Sequence, residues 1–344
     1  MLHIVLMSGG SGTRLWPLSS GVRTKVFLKL LTAPDGREES MIQRVCRQLG
    51  TAGLLASTHI VTHSSLAELT CAELGENARL IVEPHRRGTL YAVLLATAYL
   101  KERAGAAPDD CVCVLPADLF VEQPFYSIVS AWPELLARTQ AELGLIGAAP
   151  DHPSDQYGYI VPCAASDTGY ARIRQFAEKP DPARAVRLIA QHALWNCGVF
   201  AYRLDVMLAK FAALSLPTDC ASLLAAYPSL PEASFDTEIA EACANAIVVP
   251  YDGPWRDLGT WSTLTERIGR QVIGPGSLDE RSAGTHLVNE LNIPIHVIGC
   301  PNLIVAAGAE GILIADKAAS HAVRHIAKGG PSSGAPTRAA AAQE

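Results

Sequence analysis

The sequence predicts an α/β protein with a Rossmann-like, mostly parallel sheet flanked by helices and a small C-terminal β appendage. Two observations support this prediction. Apolar strand-like runs alternate with helix-like runs through residues 1–148, which is typical of a parallel sheet covered by helices on both faces. After residue 276, four short strand-like runs follow each other without a helix between them.

Composition excludes several classes of protein. The 344 residues are 49% hydrophobic and 18% charged, with a net charge of −6, so the chain has no electrostatic footprint for nucleic acid. No apolar run is long enough to span a membrane, and the chain begins directly with a strand instead of a signal peptide. Nine cysteines are scattered without a C-x-x-C pair. We therefore expect a reduced, cytoplasmic protein that binds neither nucleic acid nor membranes.

The first half of the chain predicts the elements of the parallel sheet. Cys111–Leu115 is almost wholly apolar, as a fully buried strand is, and Ser40–Leu49 repeats its apolar residues on one helical face. The other predicted strands are Leu2–Met7, His59–Thr62, Arg79–Val82 and Leu143–Ala148, and the other helices are a segment carrying Leu66 to Leu74, Thr89–Arg103 and Gln123–Ala141.

The second half is less regular. Asp181 precedes Pro182 and so predicts the cap of a helix that continues to Gln191. Gly274–Ser277 has the composition of a linker. One further predicted strand ends near Ala177 and another begins at Trp195. The other predicted strands are Ala246–Pro250, Thr285–Val288, Ile293–Gly299, Leu303–Ala306 and Ile312–Ala315. The remaining predicted helices are Val206–Leu214, Ala221–Ala226 and the segment from Trp261 to about Gly269.

A glycine cluster, Ser8-Gly9-Gly10-Ser11-Gly12-Thr13-Arg14-Leu15, follows the first strand. Successive N–H groups in such a loop bind anions, and Arg14 and Lys25 add positive charge. No glycine is followed by the Lys-Ser/Thr of a P-loop, and Leu15 occupies the last glycine position of a dinucleotide fingerprint. The pattern instead matches the G-G-x-G-T-R-L loop of the sugar-nucleotide pyrophosphorylases. An ordinary glycine-rich turn is the alternative.

Two aspartates are candidates for binding a divalent cation. Asp118 follows the apolar strand Cys111–Leu115, and Asp257 lies between Trp255 and Trp261. Magnesium uses one or two carboxylates and completes its coordination with phosphate oxygens and water. A helix cap or turn residue is the alternative for either aspartate.

A second polar group could receive a sugar phosphate. Glu178 and Lys179 offer a carboxylate for hydroxyls and an ammonium for a phosphate, and the amide of Asn196 suits a hydroxyl. Gly158 permits the close approach of a ring to the backbone. A lysine before a proline is also often only a solvated residue.

Together these motifs resemble the mannose-1-phosphate guanylyltransferase (GDP-mannose pyrophosphorylase) family of sugar-1-phosphate nucleotidyltransferases. The resemblance runs from Met1 to about Thr265 and is weaker beyond. The motifs that carry it are Gly9–Leu18, Glu83-Pro84, Leu115–Asp118, Tyr157–Ile160, Phe176–Pro180, Trp195–Phe200 and Trp255–Trp261.

The resemblance implies a nucleotidyltransferase fold and a role for each matched residue. Arg14, Lys25, Asp118 and Lys179 would be catalytic, and Asp118 and Asp257 would bind Mg²⁺. The nucleotide would be bound by Gly9, Gly10, Ser11, Gly12, Thr13, Glu83 and Thr89, and the sugar phosphate by Tyr157, Gly158, Glu178, Lys179 and Asn196. The sequence pattern predicts a catalytic domain over residues 1–272, a β-rich domain over 277–327 and, from its Gly, Pro, Ser and Ala content, a disordered tail over 328–344.

The implied reaction is nucleotidyl transfer from an NTP, with GTP expected, to a sugar 1-phosphate, with mannose 1-phosphate expected. Four departures from the family leave the base and the sugar open: Thr24-Lys25-Val26 replaces a Pro-Lys-Gln, Gly88 an Asn, Leu119 a His, and Asp155-Gln156 a Thr-Gly. Another NTP or another sugar or cyclitol 1-phosphate is therefore an alternative, as are a non-catalytic sugar-nucleotide-binding regulator and, more remotely, a dehydrogenase. A homodimer is compatible with the resemblance, and the sequence leaves the oligomeric state open.

Overall fold

The computed structural model describes residues 1–10, 13–21, 23–163 and 169–323. They fall into two compact units. The sheet unit contains residues 1–10 and 33–257, and the C-terminal unit contains the described parts of 11–32 and 258–344. The predicted division at residue 272 differs from this one, because residues 13–32 and 258–272 group with the C-terminal strands.

The strands are β1 Leu2–Met7, β2 Leu31–Thr32, β3 Glu38–Glu39, β4 Thr58–His63, β5 Leu80–Glu83, β6 Cys111–Pro116, β7 Leu119–Phe120, β8 Leu143–Ala148, β9 Tyr159–Pro162, β10 Ala171–Ala177, β11 Leu194–Arg203, β12 Ala246–Tyr251, β13 Arg256–Asp257, β14 Val272–Ile273, β15 Gly276–Leu278, β16 His286–Asn289, β17 Ile295–Val297, β18 Leu303–Gly308 and β19 Gly311–Asp316.

The α-helices are α1 Met41–Thr51, α2 Ala67–Leu74, α3 Thr89–Glu102, α4 Phe125–Thr139, α5 Pro182–Ile189, α6 Leu204–Ala213, α7 Cys220–Ala226 and α8 Trp261–Thr265. Two begin where the sequence directs. Ser40 and Gln43 form a capping box at α1, and Asp181 accepts the Arg184 N–H at α5, as predicted. Among the described residues, none of the helices combines the length and the apolar composition of a membrane span.

A nine-stranded sheet in the order β5-β4-β1-β6-β11-β8-β12-β10-β9 organises the sheet unit. Strands β11 and β10 run antiparallel to their neighbours, and the other seven strands share one direction. This arrangement confirms the predicted, mostly parallel α/β sheet. Cys111 and Cys113 are buried in β6, as expected of small core residues.

The register of β1 and β6 positions the site. Met7 lies beside Pro116, and the Ala117 N–H donates to the Met7 carbonyl at 3.0 Å. Gly9 and Asp118 each follow two residues later, so both lie at the carboxyl edge of the parallel strands. In open α/β sheets this edge is where ligands bind.

The C-terminal unit contains a four-stranded sheet in the order β14-β16-β18-β19 and the strand pair β15–β17. The four predicted C-terminal strands are present as β16 to β19. The prediction of a linker over Gly274–Ser277 is wrong, because Gly276–Leu278 forms β15. A Cβ at Gly274 would lie 1.8 Å from the Asn289 carbonyl oxygen, so this glycine serves close backbone packing.

Candidate functional site

Glu83 marks one end of the site, at the end of β5. Its side chain is buried and accepts a 2.8 Å hydrogen bond from the Tyr227 hydroxyl. Burial raises the pKa of the Glu83 carboxyl, which the Tyr227 hydrogen bond partly offsets. A Cβ on Gly9 would lie 3.5 Å from Glu83 Oε2. The first glycine of the predicted phosphate loop and the residue predicted to face the base are therefore neighbours.

The segment after Glu83 is fixed against residues 233–235. The Ala233 N–H donates to the Arg87 carbonyl at 2.9 Å, and the Phe235 N–H donates to Thr89 Oγ1 at 2.9 Å. Gly88 has a φ of +93°, and a Cβ there would lie 2.1 Å from the Ala233 carbonyl oxygen. The path of this chain therefore requires the glycine that replaces the family's asparagine. The hydroxyl of Thr89 holds this segment in place at the start of α3.

Asp118 and Asp257 are brought together by a short antiparallel strand pair. Strands β7 and β13 place Asp257 opposite Leu119, the residue after Asp118. Both aspartates are half-buried and line one cavity of about 170 Å³. Two carboxylates distant in sequence thus share one cavity at the edge of the sheet.

The same cavity is lined by residues predicted to contact the sugar phosphate. Tyr157 and Asn196 lie on its wall together with Trp255. The Tyr157 ring packs against both Trp195 and Trp255, at centroid distances of 4.8 and 5.1 Å, and the two indoles also contact each other. Aromatic side chains therefore form an apolar wall beside the two aspartates, which suits the apolar face of a sugar ring.

Gly158, Glu178 and Asn196 pack against each other. The Asn196 N–H donates to the Gly158 carbonyl at 2.8 Å. A Cβ on Gly158 would lie 2.7 Å from Glu178 Oε2 and 3.3 Å from Asn196 Cβ. Lys179 is exposed, has a φ of +40° and pairs with Glu178. The structure thus brings together the residues predicted to receive the sugar phosphate, and the missing side chain of Gly158 makes room for the Glu178 carboxylate.

Asp236 belongs to this group and was not predicted. Asn196 Nδ2 donates to Asp236 Oδ1 at 3.1 Å, and the Ser234 hydroxyl lies 3.2 Å from Oδ2. Burial, followed by the charge of Glu178, raises the pKa of Asp236 to about 6. Asp236 therefore carries less negative charge near pH 6 than an ordinary aspartate does.

The remaining predicted residues are those of the glycine loop and the basic residues Arg14 and Lys25, together with the predicted tail. Arg14 is exposed in the 3₁₀ turn Thr13–Leu15, and half-buried Lys25 begins the 3₁₀ turn Lys25–Phe27. Gly10 is exposed after β1 in the sheet unit. Ser11, Gly12 and the predicted tail over 328–344 lie outside the described residues.

The donor set fits Mg²⁺ held jointly by protein and substrate. Among the described residues, no group of three or more His, Cys, Asp or Glu side chains is arranged to hold a metal ion. Magnesium, however, commonly takes one or two carboxylates and fills its shell with substrate phosphates and waters. Asp118 and Asp257 supply that number of carboxylates on one cavity.

Comparison with known proteins gives consistent matches. The sequence profile described as nucleotidyl transferase matches residues 3–270. A mannose-1-phosphate guanylyltransferase from Escherichia coli is 30% identical, over 94% of this chain and 73% of its own length. The alginate biosynthesis protein AlgA of Pseudomonas aeruginosa is 29% identical, over 94% of this chain and 71% of its own length.

A solved structure matches across both units of the chain. It is described as a mannose-1-phosphate geranyltransferase from Thermus thermophilus and has a TM-score of 0.79 at 28% identity. The match covers 95% of this chain and 98% of that one. The similarity therefore extends beyond the sheet to the C-terminal strands.

Proposed function

Because the chain belongs to the nucleotidyl transferase family, we propose that it joins an NTP to a sugar 1-phosphate and releases pyrophosphate. It is an enzyme of the nucleotidyltransferase type. GTP and mannose 1-phosphate are the proposed pair, since relatives named for that activity align with 94% of the chain. The cytoplasmic location expected from the sequence stays a prediction.

The observation that carries this proposal is the cavity shared by Asp118, Asp257, Tyr157 and Asn196. It combines two carboxylates suited to a cation with an aromatic wall and an amide suited to a sugar. A regulator that only bound a sugar nucleotide would need the second set and not the first.

In the proposed reaction, an oxygen of the sugar phosphate attacks the α-phosphorus of the NTP. The new O–Pα bond forms as the bond from Pα to the bridging β-phosphate oxygen breaks, and pyrophosphate leaves with that oxygen. No protein nucleophile is needed, because the attacking oxygen is already anionic. Catalysis then consists of positioning and charge neutralisation.

Each part of the site has a proposed role in that step. Arg14 and Lys25 would neutralise the triphosphate and the departing pyrophosphate, and Lys179 would hold the phosphate of the sugar. Asp118 and Asp257 would hold Mg²⁺, which when bound neutralises charge on the reacting phosphate. The hydroxyls of the sugar would be bound by a polar set made of Glu178, Asn196 and Asp236.

Glu83 is the proposed reader of the base. A carboxylate accepts hydrogen bonds from the N1–H and N2–H₂ donors of guanine, which adenine lacks in that pattern. The Tyr227 hydroxyl donates a hydrogen bond to Oε1 at 2.8 Å. The other carboxylate oxygen, Oε2, is the one that lies beside Gly9. The backbone amides of Gly9 and Gly10 would bind the phosphates.

A substrate panel tests the proposal. Purified protein is incubated with Mg²⁺, each of GTP, ATP, UTP and CTP, and a set of sugar and cyclitol 1-phosphates, and pyrophosphate release is measured. We expect the highest kcat/KM with GTP and mannose 1-phosphate. Turnover only with UTP or CTP would overturn the guanine assignment, and turnover only with another 1-phosphate would overturn the mannose assignment. Binding of sugar nucleotides with no turnover for any pair would favour the regulator.

A further inference from the structure

Arg14 and Lys25, the two basic side chains predicted to bind phosphate, belong to the C-terminal unit. We call residues 13–32 the cation segment, because Arg14 and Lys25 lie on it. Its described residues group with residues 258–323. Its contacts with those residues include ones to the β18–β19 hairpin, to helix α8 and to the residue after β16.

The β18–β19 hairpin is shaped to receive the cation segment. Gly308 and Gly311 face each other across its two-residue turn. A Cβ on Gly311 would lie 2.9 Å from Trp16 Cζ2, and a Cβ on Gly308 would lie 3.0 Å from Leu18 Cδ2 and 3.2 Å from the Pro17 carbonyl oxygen. Both glycines therefore leave space that the cation segment fills.

Two polar contacts fix the same segment. The indole N–H of Trp261, a fully buried residue of α8, donates to the Trp16 carbonyl at 3.0 Å. Arg23 Nη1 donates to Glu290 Oε2 at 2.7 Å, directly after β16. Arg23 and Glu290 are each more than 30% exposed, so the ion pair contributes little to global stability. It nevertheless links the cation segment to the end of β16.

We infer that the C-terminal strands position Arg14 and Lys25 for the triphosphate, with Gly308, Gly311 and Glu290 as positioning residues; this rests on the proposed function. The C-terminal strands are then part of the nucleotide-binding apparatus, although none of their residues is proposed to contact substrate. Displacing the cation segment should weaken NTP use much more than sugar-phosphate use, because the sugar-phosphate residues belong to the sheet unit.

Gly308→Val tests this directly. The added side chain would displace Pro17 and Leu18, and the φ of Gly308 lies outside the left-handed region. Since displacing positioned groups by about 1 Å can cost 10²-fold, we expect kcat/KM for the NTP to fall at least about tenfold, while KM for the sugar 1-phosphate changes less than about twofold. Hydrogen exchange of residues 13–32 should become faster.

Gly269→Ala is the matched control. Gly269 lies in the same unit, its φ lies outside the left-handed region, and a Cβ there would make only an ordinary contact, 3.8 Å from Thr32 Oγ1. It tests whether an added side chain beside the cation segment changes that segment when no neighbour has to move. We expect its kinetics and its exchange over residues 13–32 to match the wild type.

A charge exchange keeps the inference testable if Gly308→Val fails to fold. Arg23→Glu and Glu290→Arg alone should each speed exchange of residues 13–32 and raise KM for the NTP about two- to threefold, and the double variant should restore both. Equal kinetics and exchange in wild type, Gly308→Val and both single charge variants would overturn the inference. If the wild type has no turnover, the proposed function fails, while the exchange data still decide whether these strands hold the segment.

Discussion

The two parts of the proposed site are built differently. We call Asp118 and Asp257 the aspartate side, and Glu178, Asn196 and Asp236 the sugar side. The aspartate side is set by backbone pairing, since β7 and β13 place Asp257 opposite Leu119 beside Asp118. The sugar side depends on hydrogen bonds between side chains, such as that from Asn196 Nδ2 to Asp236 Oδ1 at 3.1 Å. A substitution of an aspartate on the first side should therefore lower catalytic activity and leave the fold intact. A substitution on the sugar side should also alter the positions of the side chains that are hydrogen-bonded to it.

The largest expected effect comes from the aspartate side. Asp118→Asn keeps the shape of the side chain and removes one of the two charges proposed to hold Mg²⁺. We expect kcat/KM for pyrophosphate release to fall at least about 10²- to 10³-fold, the cost of losing a preorganised electrostatic group, with an unchanged melting temperature.

Asp252→Asn is the control for that variant. Asp252 is an exposed carboxylate just after β12, and its loss should leave kcat/KM within about twofold of the wild type, as for an ordinary surface substitution. An Asp118→Asn variant that kept full activity would remove Asp118 from the mechanism.

The next effect concerns the sugar side. Asp236→Asn still accepts the Asn196 hydrogen bond but can never carry a charge. Hydrogen bonds to charged groups contribute about 1.5–3 kcal/mol, so we expect KM for the sugar 1-phosphate to rise about tenfold or more at pH 8. KM for the NTP should not change.

The pH dependence of that KM gives a sharper test. Because the pKa of Asp236 is raised to about 6, the wild type should bind the sugar 1-phosphate better as pH rises through 6. The variant should lack the Asp236 contribution to this rise. Identical pH profiles for the two proteins would show that Asp236 does not titrate in contact with the substrate.

Asp236 should also affect stability with a defined sign. Its folded pKa of about 6 exceeds the ordinary 3.8, so the folded state holds the proton more tightly between those values. The free energy of unfolding then falls as pH rises from about 4 to about 6. Urea unfolding at several pH values should show this decline in the wild type and a weaker one in Asp236→Asn. Parallel curves would contradict the assignment.

The smallest expected effect concerns the base. Tyr227→Phe removes the hydroxyl that donates to Glu83 at 2.8 Å. We expect KM for GTP to rise about fivefold, which corresponds to about 1 kcal/mol, the net contribution of a typical hydrogen bond, with KM for the sugar 1-phosphate unchanged. Tyr202→Phe is the control, since its buried hydroxyl bonds Thr97 at 2.8 Å instead of a predicted site residue. An equal effect of both variants would assign Tyr227 to general packing.

Local sequence patterns predicted where Asp118 lies, but they did not indicate that Asp236 lies beside Asn196. Asp118 could be placed because it follows a wholly apolar strand, and parallel strands end at one edge of the sheet. Asp236 could not, because it begins the π-helix Asp236–Ala240 and meets Asn196 across 40 residues of sequence. In the sequence, Gly88 is only a replacement of the family's asparagine, whereas in the structure the Ala233 carbonyl oxygen occupies the space that a Cβ would take.

The grouping of Arg14 and Lys25 with the C-terminal strands was also beyond local patterns. The two glycines of the β18–β19 hairpin resemble ordinary turn residues in the sequence. Only their closeness to Trp16, Pro17 and Leu18 shows what they accommodate. Long-range packing of this kind leaves no periodic signal in either segment.

One labelling experiment tests the central claim most directly, namely that this chain transfers a nucleotidyl group to a sugar phosphate. Wild-type protein is incubated with mannose 1-phosphate, Mg²⁺ and GTP labelled with ³²P at either the α- or the γ-phosphorus. The α-label should appear in the sugar nucleotide and the γ-label in pyrophosphate. Release of the γ-label as inorganic phosphate, or an α-label that never joins the sugar, would contradict the account.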